Sequence, residues 1–134
     1  MSLFFSVFMH LIFRILARSP VFKAMFQSKM LESTENIVEI EDFDDETVKG
    51  MLEYIYTGGT ESLQENAPEL LKIGDKYQLL GLKEDCERAM KRNLSVDNAM
   101  EVLILAHTYN STKLKTQVIK FIRGYKSFFI LQYI

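Results

Sequence analysis

Few residues in this sequence have the type and spacing that chemistry needs. Cys86 is the single cysteine, which excludes an internal disulfide and a multi-cysteine zinc site. It lies on the apolar stripe of a predicted helix, where a thiol behaves as a small hydrophobe; reactive thiols sit in exposed, electropositive surroundings. His10 stands inside an apolar run with no second ligand nearby. His107 follows Ala106 near a helix end, where a helix-terminal partner is expected rather than a metal. Gly58-Gly59 lacks the lysine and the spacing of a phosphate loop and reads as a turn. Lys113, Lys115, Lys120 and Arg123 spread along one helix without interleaved aromatics, a solvated face rather than a nucleic-acid surface. Asn93-Leu94-Ser95 and Asn110-Ser111-Thr112 fit the glycosylation pattern, but both double as helix-cap sites and no secretion signal supports that use. No set of groups converges. The expectation is therefore no catalytic residue, no metal, no cofactor, no small-molecule substrate and no enzyme activity.

These residues must be placed by a chain of 134 residues, 48% hydrophobic and 25% charged, a composition that folds as one domain. A net charge of −2 gives no global attraction to nucleic acid or to an anionic membrane. The charge is uneven. No acid precedes Glu32, Lys49 is the only base between Glu32 and Glu69, and the densest acid is Glu39, Glu41, Asp42, Asp44, Asp45 and Glu46. That run reads as a solvated face with helix-start acids, or more sharply as a protein-docking edge. Residues 1–16, MSLFFSVFMHLIFRIL, are almost continuously apolar. They are short of the roughly 20 apolar residues a bilayer span needs and lack the basic start and cleavage site of a secretory signal. A buried core segment, a weak membrane anchor and a sequence foreign to the original fold all remain open.

Beyond residue 18 the pattern is helical. Ser19 caps a helix with Pro20 at its first position, and Phe22, Met25, Phe26 and Met30 form one apolar face. Ile37-Val38-Glu39-Ile40 is a short strand candidate. Asp44 or Asp45 caps a helix presenting Val48, Met51, Leu52, Ile55 and Tyr56, stopped by Thr57-Gly58-Gly59. A helix from about Glu65, with Pro68 in its first turn, presents Ala67, Leu70, Leu71, Gly74 and Tyr77. Gly81 marks a break before a helix presenting Leu82, Cys86, Ala89 and Met90, with Glu84–Arg88 and Glu87–Lys91 pairs on its exposed side. Ser95 caps a helix with Val96, Ala99, Met100, Leu103 and Ala106 inward. Asn110 or Ser111 starts a last one with Leu114, Val118, Phe121 and Ile122, and the apolar tail from Phe128 has no clear period. The last two helix pairs are similar in size, with no sequence repeat between them.

From Ala17 to about Ile122 the order of motifs resembles a BTB/POZ domain, closest to the MATH-BTB relatives of the speckle-type POZ group. Ala17-Arg18-Ser19-Pro20-Val21-Phe22 resembles the family's helix opening and Val38-Glu39-Ile40 its following strand. Tyr54-Ile55-Tyr56-Thr57-Gly58 matches a hallmark helix end. Asp75-Lys76-Tyr77, Leu79, Leu82-Lys83 and Cys86-Glu87 match the hallmark helix pair. Asn93-Leu94-Ser95-Val96, Asn98-Ala99, Ile104-Leu105-Ala106 and Leu114-Lys115-Thr116-Gln117 resemble the helical extension called the 3-box. The fold this implies is α+β and mostly helical: a BTB/POZ-like fold, N-terminally incomplete, with a C-terminal helical 3-box. Its parts are an apolar non-family segment at 1–16, an incomplete BTB/POZ-like domain at 17–92, a 3-box helical pair at 93–123 and an atypical apolar tail at 124–134.

The resemblance implies an adaptor that joins a cullin scaffold to a substrate in a RING-type ubiquitin ligase, in the nucleus, the cytoplasm or both. Cullin binding falls on the family's hydrophobic-x-Glu motif, here Met30-Leu31-Glu32, on the 3-box, and on Leu79 and Leu80 in the turn of the hallmark helix pair. The structural alternative makes Met30 the last core residue of its stripe. Self-association or pairing with other BTB chains is implied too, weakened because the strands and helix that carry most of the family's dimer interface are replaced by the foreign-looking first 16 residues. The expectation is an adaptor without a MATH domain before its BTB part, and with a segment from Gly124 to Ile134 that leaves the family pattern. Three other readings stand beside the adaptor: a truncated, non-recruiting or competing MATH-BTB fragment, a membrane-associated protein anchored by its apolar N-terminus, and a BTB transcription factor, for which the sequence has no zinc-finger pattern.

Overall fold

The computed structural model describes residues 14, 15, 17–29 and 40–133. Among them lie α1 (Pro20–Lys29), α2 (Asp45–Thr57), α3 (Leu63–Lys76), α4 (Leu80–Arg92), α5 (Ala99–Thr108) and α6 (Thr112–Tyr133), and no strand. Residues 14, 15, 17 and 18 are helical and lead into Ser19. The expected strand lies outside the described residues except for Ile40, which packs partly buried against the core. The described fold is thus mostly helical. None of its helices is long and apolar enough to cross a membrane.

Helix ends follow the local chemistry. The Asp44 carboxylate accepts from the Thr47 backbone N–H at 2.8 Å, which satisfies one of the orphan donors at the start of α2 and holds that carboxyl below the usual range. At the other end Gly58 takes φ +86 and its N–H donates to the Tyr54 carbonyl at 2.7 Å. That is a left-handed helix terminus, in which a side chain would be strained. Helix α3 begins at Leu63 rather than Glu65, with a kink at Asn66 (φ −125, ψ 23). Pro68, two residues on, has no N–H with which to continue the ladder. Asn66 Nδ2 turns to Thr47 Oγ1 at 3.0 Å and so ties the kink to α2.

The core is one apolar cluster. Met51 and Ile55 of α2, Leu70, Leu71 and Ile73 of α3, and Leu82 and Cys86 of α4 are wholly enclosed, with Val118 of α6 beside them. The stripes expected on α3 and α4 are the buried ones, joined by Ile73. Two expectations are corrected. Tyr56 is half exposed, with the Arg14 guanidinium 5.2 Å from its ring centre. Val96 and Met100 are exposed, whereas Ala99 and Ala106 are buried as expected and Val102 joins them. Helix α5 is apolar nearly all round, so periodicity could not choose its inward side; packing against its neighbours does. On α4, Arg88 reaches Asp85, not Glu84. The tail from Phe128 to Tyr133 continues α6 as helix.

The break before α4 falls at Gln78 (φ +54), not at Gly81, which lies inside α4. Asn110 (φ +57) does the same between α5 and α6. This reveals a likeness that the sequence hides. The α3–α4 and α5–α6 hairpins share one turn, displaced by 32 positions: Tyr77 and Tyr109 end the first helices, and Gln78 and Asn110 turn left-handed. The Leu79 N–H then donates to the Gly74 carbonyl at 2.8 Å, as the Ser111 N–H does to that of Ala106 at 2.8 Å. Ser111 occupies the place of Leu79, and its buried hydroxyl has no hydrogen-bond partner. Lys83 fastens the hairpins together, its ammonium donating to Asp75 at 2.8 Å and to the Tyr109 carbonyl at 2.6 Å.

Candidate functional site

The α3–α4 turn and the opening of α1 form one surface. Ser19 is fully buried and bonds both ways. Its Oγ accepts from the Phe22 N–H at 3.1 Å, capping α1, and donates to the Tyr77 carbonyl at 2.6 Å, 58 residues away. The Phe22 ring lies flat on that of Tyr77, with centres 4.3 Å apart and planes within 2°. This stack joins α1 to the end of α3 with dispersion contact as well as hydrogen bonding.

The turn sends its two leucines in opposite directions. Leu79 is 2% exposed, whereas Leu80 is 68% exposed. Leu79 therefore fixes the backbone from the core side, and Leu80 is the side chain a partner could touch. The other expected contact residues, Met30, Leu31 and Glu32, lie outside the described residues. Around Leu80 a shallow concavity is completed by Arg18, Pro20, Tyr54, Gln78 and Gly81. Of these, Tyr54 and Gly81 depend on each other. A Cβ on Gly81 would lie 2.1 Å from the Tyr54 hydroxyl oxygen but 3.4 Å from its ring carbon, so the bare backbone of Gly81 admits the phenol.

Tyr54 is held by its surroundings. The Arg18 guanidinium sits 5.7 Å from its ring centre, while burial, followed by the charge of Asp85, pushes the phenol above its usual range. A neutral hydroxyl over a helix start offers a hydrogen bond at the rim of an apolar contact. It is no nucleophile. Cys86 is equally unsuited, since enclosure and the charges of Asp85 and Glu87 push its thiol up to about 12. Among the described residues, no group of three His, Cys, Asp or Glu is placed to hold a metal. His107 Nδ1 lies 3.1 Å from the Lys115 ammonium across the α5–α6 turn, the helix-terminal role expected of it.

The geometry yields a double-mutant test. Gly81→Ala is expected to lower stability by about 1–3 kcal/mol, because the new methyl overlaps the Tyr54 hydroxyl. Tyr54→Phe added to it is expected to restore most of the loss, since the ring carbon is at contact distance and alanine is the better helix former by about 1 kcal/mol. Urea midpoints of the four proteins read the coupling; additive losses would mean that the hydroxyl does not set the requirement for glycine.

Sequence reasoning named the turn but not Arg18, Tyr54 or Gly81 as its setting. The available signal was Tyr54 within the hallmark helix end; its meeting with Gly81 comes only from the crossing of α2 and α4. Comparison with known proteins matches the chain to a family model. The BTB/POZ domain model matches residues 10–94.

The chain belongs to the BTB/POZ family. The matched range takes in α1 to α4 and the whole surface around Leu80, and it begins inside the opening apolar run. The α5–α6 hairpin lies beyond it. Among curated proteins, the mouse (Mus musculus) TD and POZ domain-containing protein 5 is 49% identical over 108 residues, covering 79% of this chain and 32% of the relative. The chain thus spans about a third of the length of that relative. A BTB/POZ domain is a protein-interaction module, and the exposed features described here, a projecting leucine on a clamped turn beside an aromatic hydroxyl, are those of a contact surface.

Proposed function

We propose that this BTB/POZ domain is the adaptor part of a cullin-RING ubiquitin ligase of MATH-BTB type, acting in the nucleus, the cytoplasm or both. Its α5–α6 hairpin would serve as the 3-box, and it would self-associate or pair with other BTB chains. Cullin would be bound through Leu80 and the Met30-Leu31-Glu32 segment, with Leu79 setting the turn from inside. The observation that supports this best is the division of labour between Leu79 and Leu80. A partner gains from a projecting apolar anchor only if the backbone beneath it is already ordered. The 49% identity to a protein named for a TD and a POZ domain supports reading this POZ domain as one part of a larger adaptor.

The test is capture of the purified full chain by a purified cullin N-terminal domain. Leu80→Glu, and separately Met30→Ala with Glu32→Lys, are each expected to weaken capture by about tenfold or more, a loss of about 1.4 kcal/mol or more. Leu131→Glu, at an equally exposed leucine far along α6, is expected to leave capture unchanged. Absence of saturable capture, or equal capture by all variants, would overturn the proposal.

A further inference from the structure

The two hairpins share a turn but not its fastenings. The Leu79 and Ser111 N–H groups make the same backbone hydrogen bond at the same 2.8 Å. The Leu79 side chain lies in the core, so opening the first turn returns a leucine to water, which is unfavourable. Ser111 is as deeply buried, but its hydroxyl has no hydrogen-bond partner among the described residues. Opening the second turn hydrates that hydroxyl, which is favourable. The side-chain ties differ in the same sense. Asp75 and the Lys83 ammonium form an ion pair at 2.8 Å across the first turn. At the corresponding places of the second turn His107 stands 3.1 Å from Lys115, a contact in which no carboxylate takes part. The carbonyls that end the first helices are matched: Tyr77 accepts from Ser19 and Tyr109 from Lys83, each at 2.6 Å. The contrast therefore lies in the buried anchor and the ion pair.

Packing decides which arm of the second hairpin is held. Helix α6 packs on α4 as well as on α5, and its Leu114 and Val118 are enclosed. Helix α5 packs chiefly against α6 and hardly on α3 or α4. Between α5 and the α3–α4 hairpin lies an open cleft lined by Ala67, Met90, Asn98 and Val102. From these differences we infer that the α5–α6 turn is an opening joint built into the fold. The C-terminal end of α5 parts from α6 there, while the α3–α4 turn stays closed and α6 stays on α4. The inference concerns a motion of the second hairpin and stands whether or not that hairpin serves as a 3-box.

Native-state hydrogen exchange of the full chain, followed amide by amide by NMR and corrected for intrinsic rates, compares the two matched hydrogen bonds directly. The Ser111 amide is expected to be about tenfold or more less protected than that of Leu79. Ser111→Ala, checked by circular dichroism, removes the unpaired oxygen without changing the backbone bond. It is expected to raise protection at position 111 by about fivefold or more, the low end of what an unpaired buried hydroxyl costs, and to leave Leu79 unchanged. The inference is overturned if the two amides of the unmodified chain are equally protected, or if Leu79 is the less protected. It is overturned too if Ser111→Ala leaves position 111 unchanged or lowers its protection, since a fall would show the hydroxyl to be bonded in the closed turn. A rise shared equally by both amides has the same force, because the two turns would then open together.

Discussion

Replacing Ser19 with alanine is expected to cost about 2–4 kcal/mol of folding stability. Two losses combine. The α1 cap loses the acceptor for the Phe22 N–H, typically about 1 kcal/mol. The Tyr77 carbonyl loses its buried hydroxyl donor, and an unsatisfied buried acceptor costs about 1–3 kcal/mol. Ser19→Gly separates the two, because glycine keeps all but a few tenths of a kcal/mol of capping yet cannot bond Tyr77. It should retain most of the second loss. Urea unfolding measures both, as a drop in midpoint with unchanged slope. A cost below about 0.5 kcal/mol for Ser19→Ala would mean that the hydroxyl does not hold α1 to the turn.

Leu70→Ala is expected to be more damaging, at about 3–5 kcal/mol, the upper part of the range for buried leucines. Leu70 is wholly enclosed between α2 and α3, and its surroundings cannot readily collapse. The backbone of Gly50 lies against it: a Cβ there would sit 3.1 Å from Leu70 Cδ2 and 2.8 Å from Ser62 Oγ. The same closeness predicts non-additivity. Gly50→Ala destabilises the unmodified chain by crowding both neighbours, but with Leu70→Ala one of them is gone, so the pair should cost less than the sum. Thermal and urea unfolding of the two single variants and the double variant give the answer. Strict additivity would show that helices α2 and α3 do not meet through that contact.

The parts of this fold that the sequence made legible are governed by neighbours along the chain. Asp44 and Gly58 end α2 through backbone geometry, Ser19-Pro20 opens α1 by the same rules, and α3 and α4 have a polar side that reveals the apolar one. Where that contrast vanishes, legibility fails. Helix α5 is apolar on several sides, so the pattern places Ala99 and Ala106 inward but cannot tell exposed Met100 from buried Val102. Gly81 looked like a turn glycine; its requirement comes from Tyr54, which is remote in sequence. The kinship of the two hairpins was invisible because Gly74 against Ala106 and Leu79 against Ser111 share a backbone path, not a residue type. The candidate surface was half legible. The turn could be located, but which of Leu79 and Leu80 faces outward depends on the left-handed step at Gln78, a residue that gives no warning of it.

The hydrogen bond from Ser19 to Tyr77 also orders events in time. The hairpins close through contacts between adjacent helices, whereas this bond joins residues 58 positions apart. Closing so long a loop carries an entropy cost that local pairs avoid, so it belongs late in folding. During synthesis α1 leaves the ribosome well before α3 exists to receive it and must wait. The region around Leu80 is thus braced on one side by an early-formed hairpin and on the other by a long-range join that closes later.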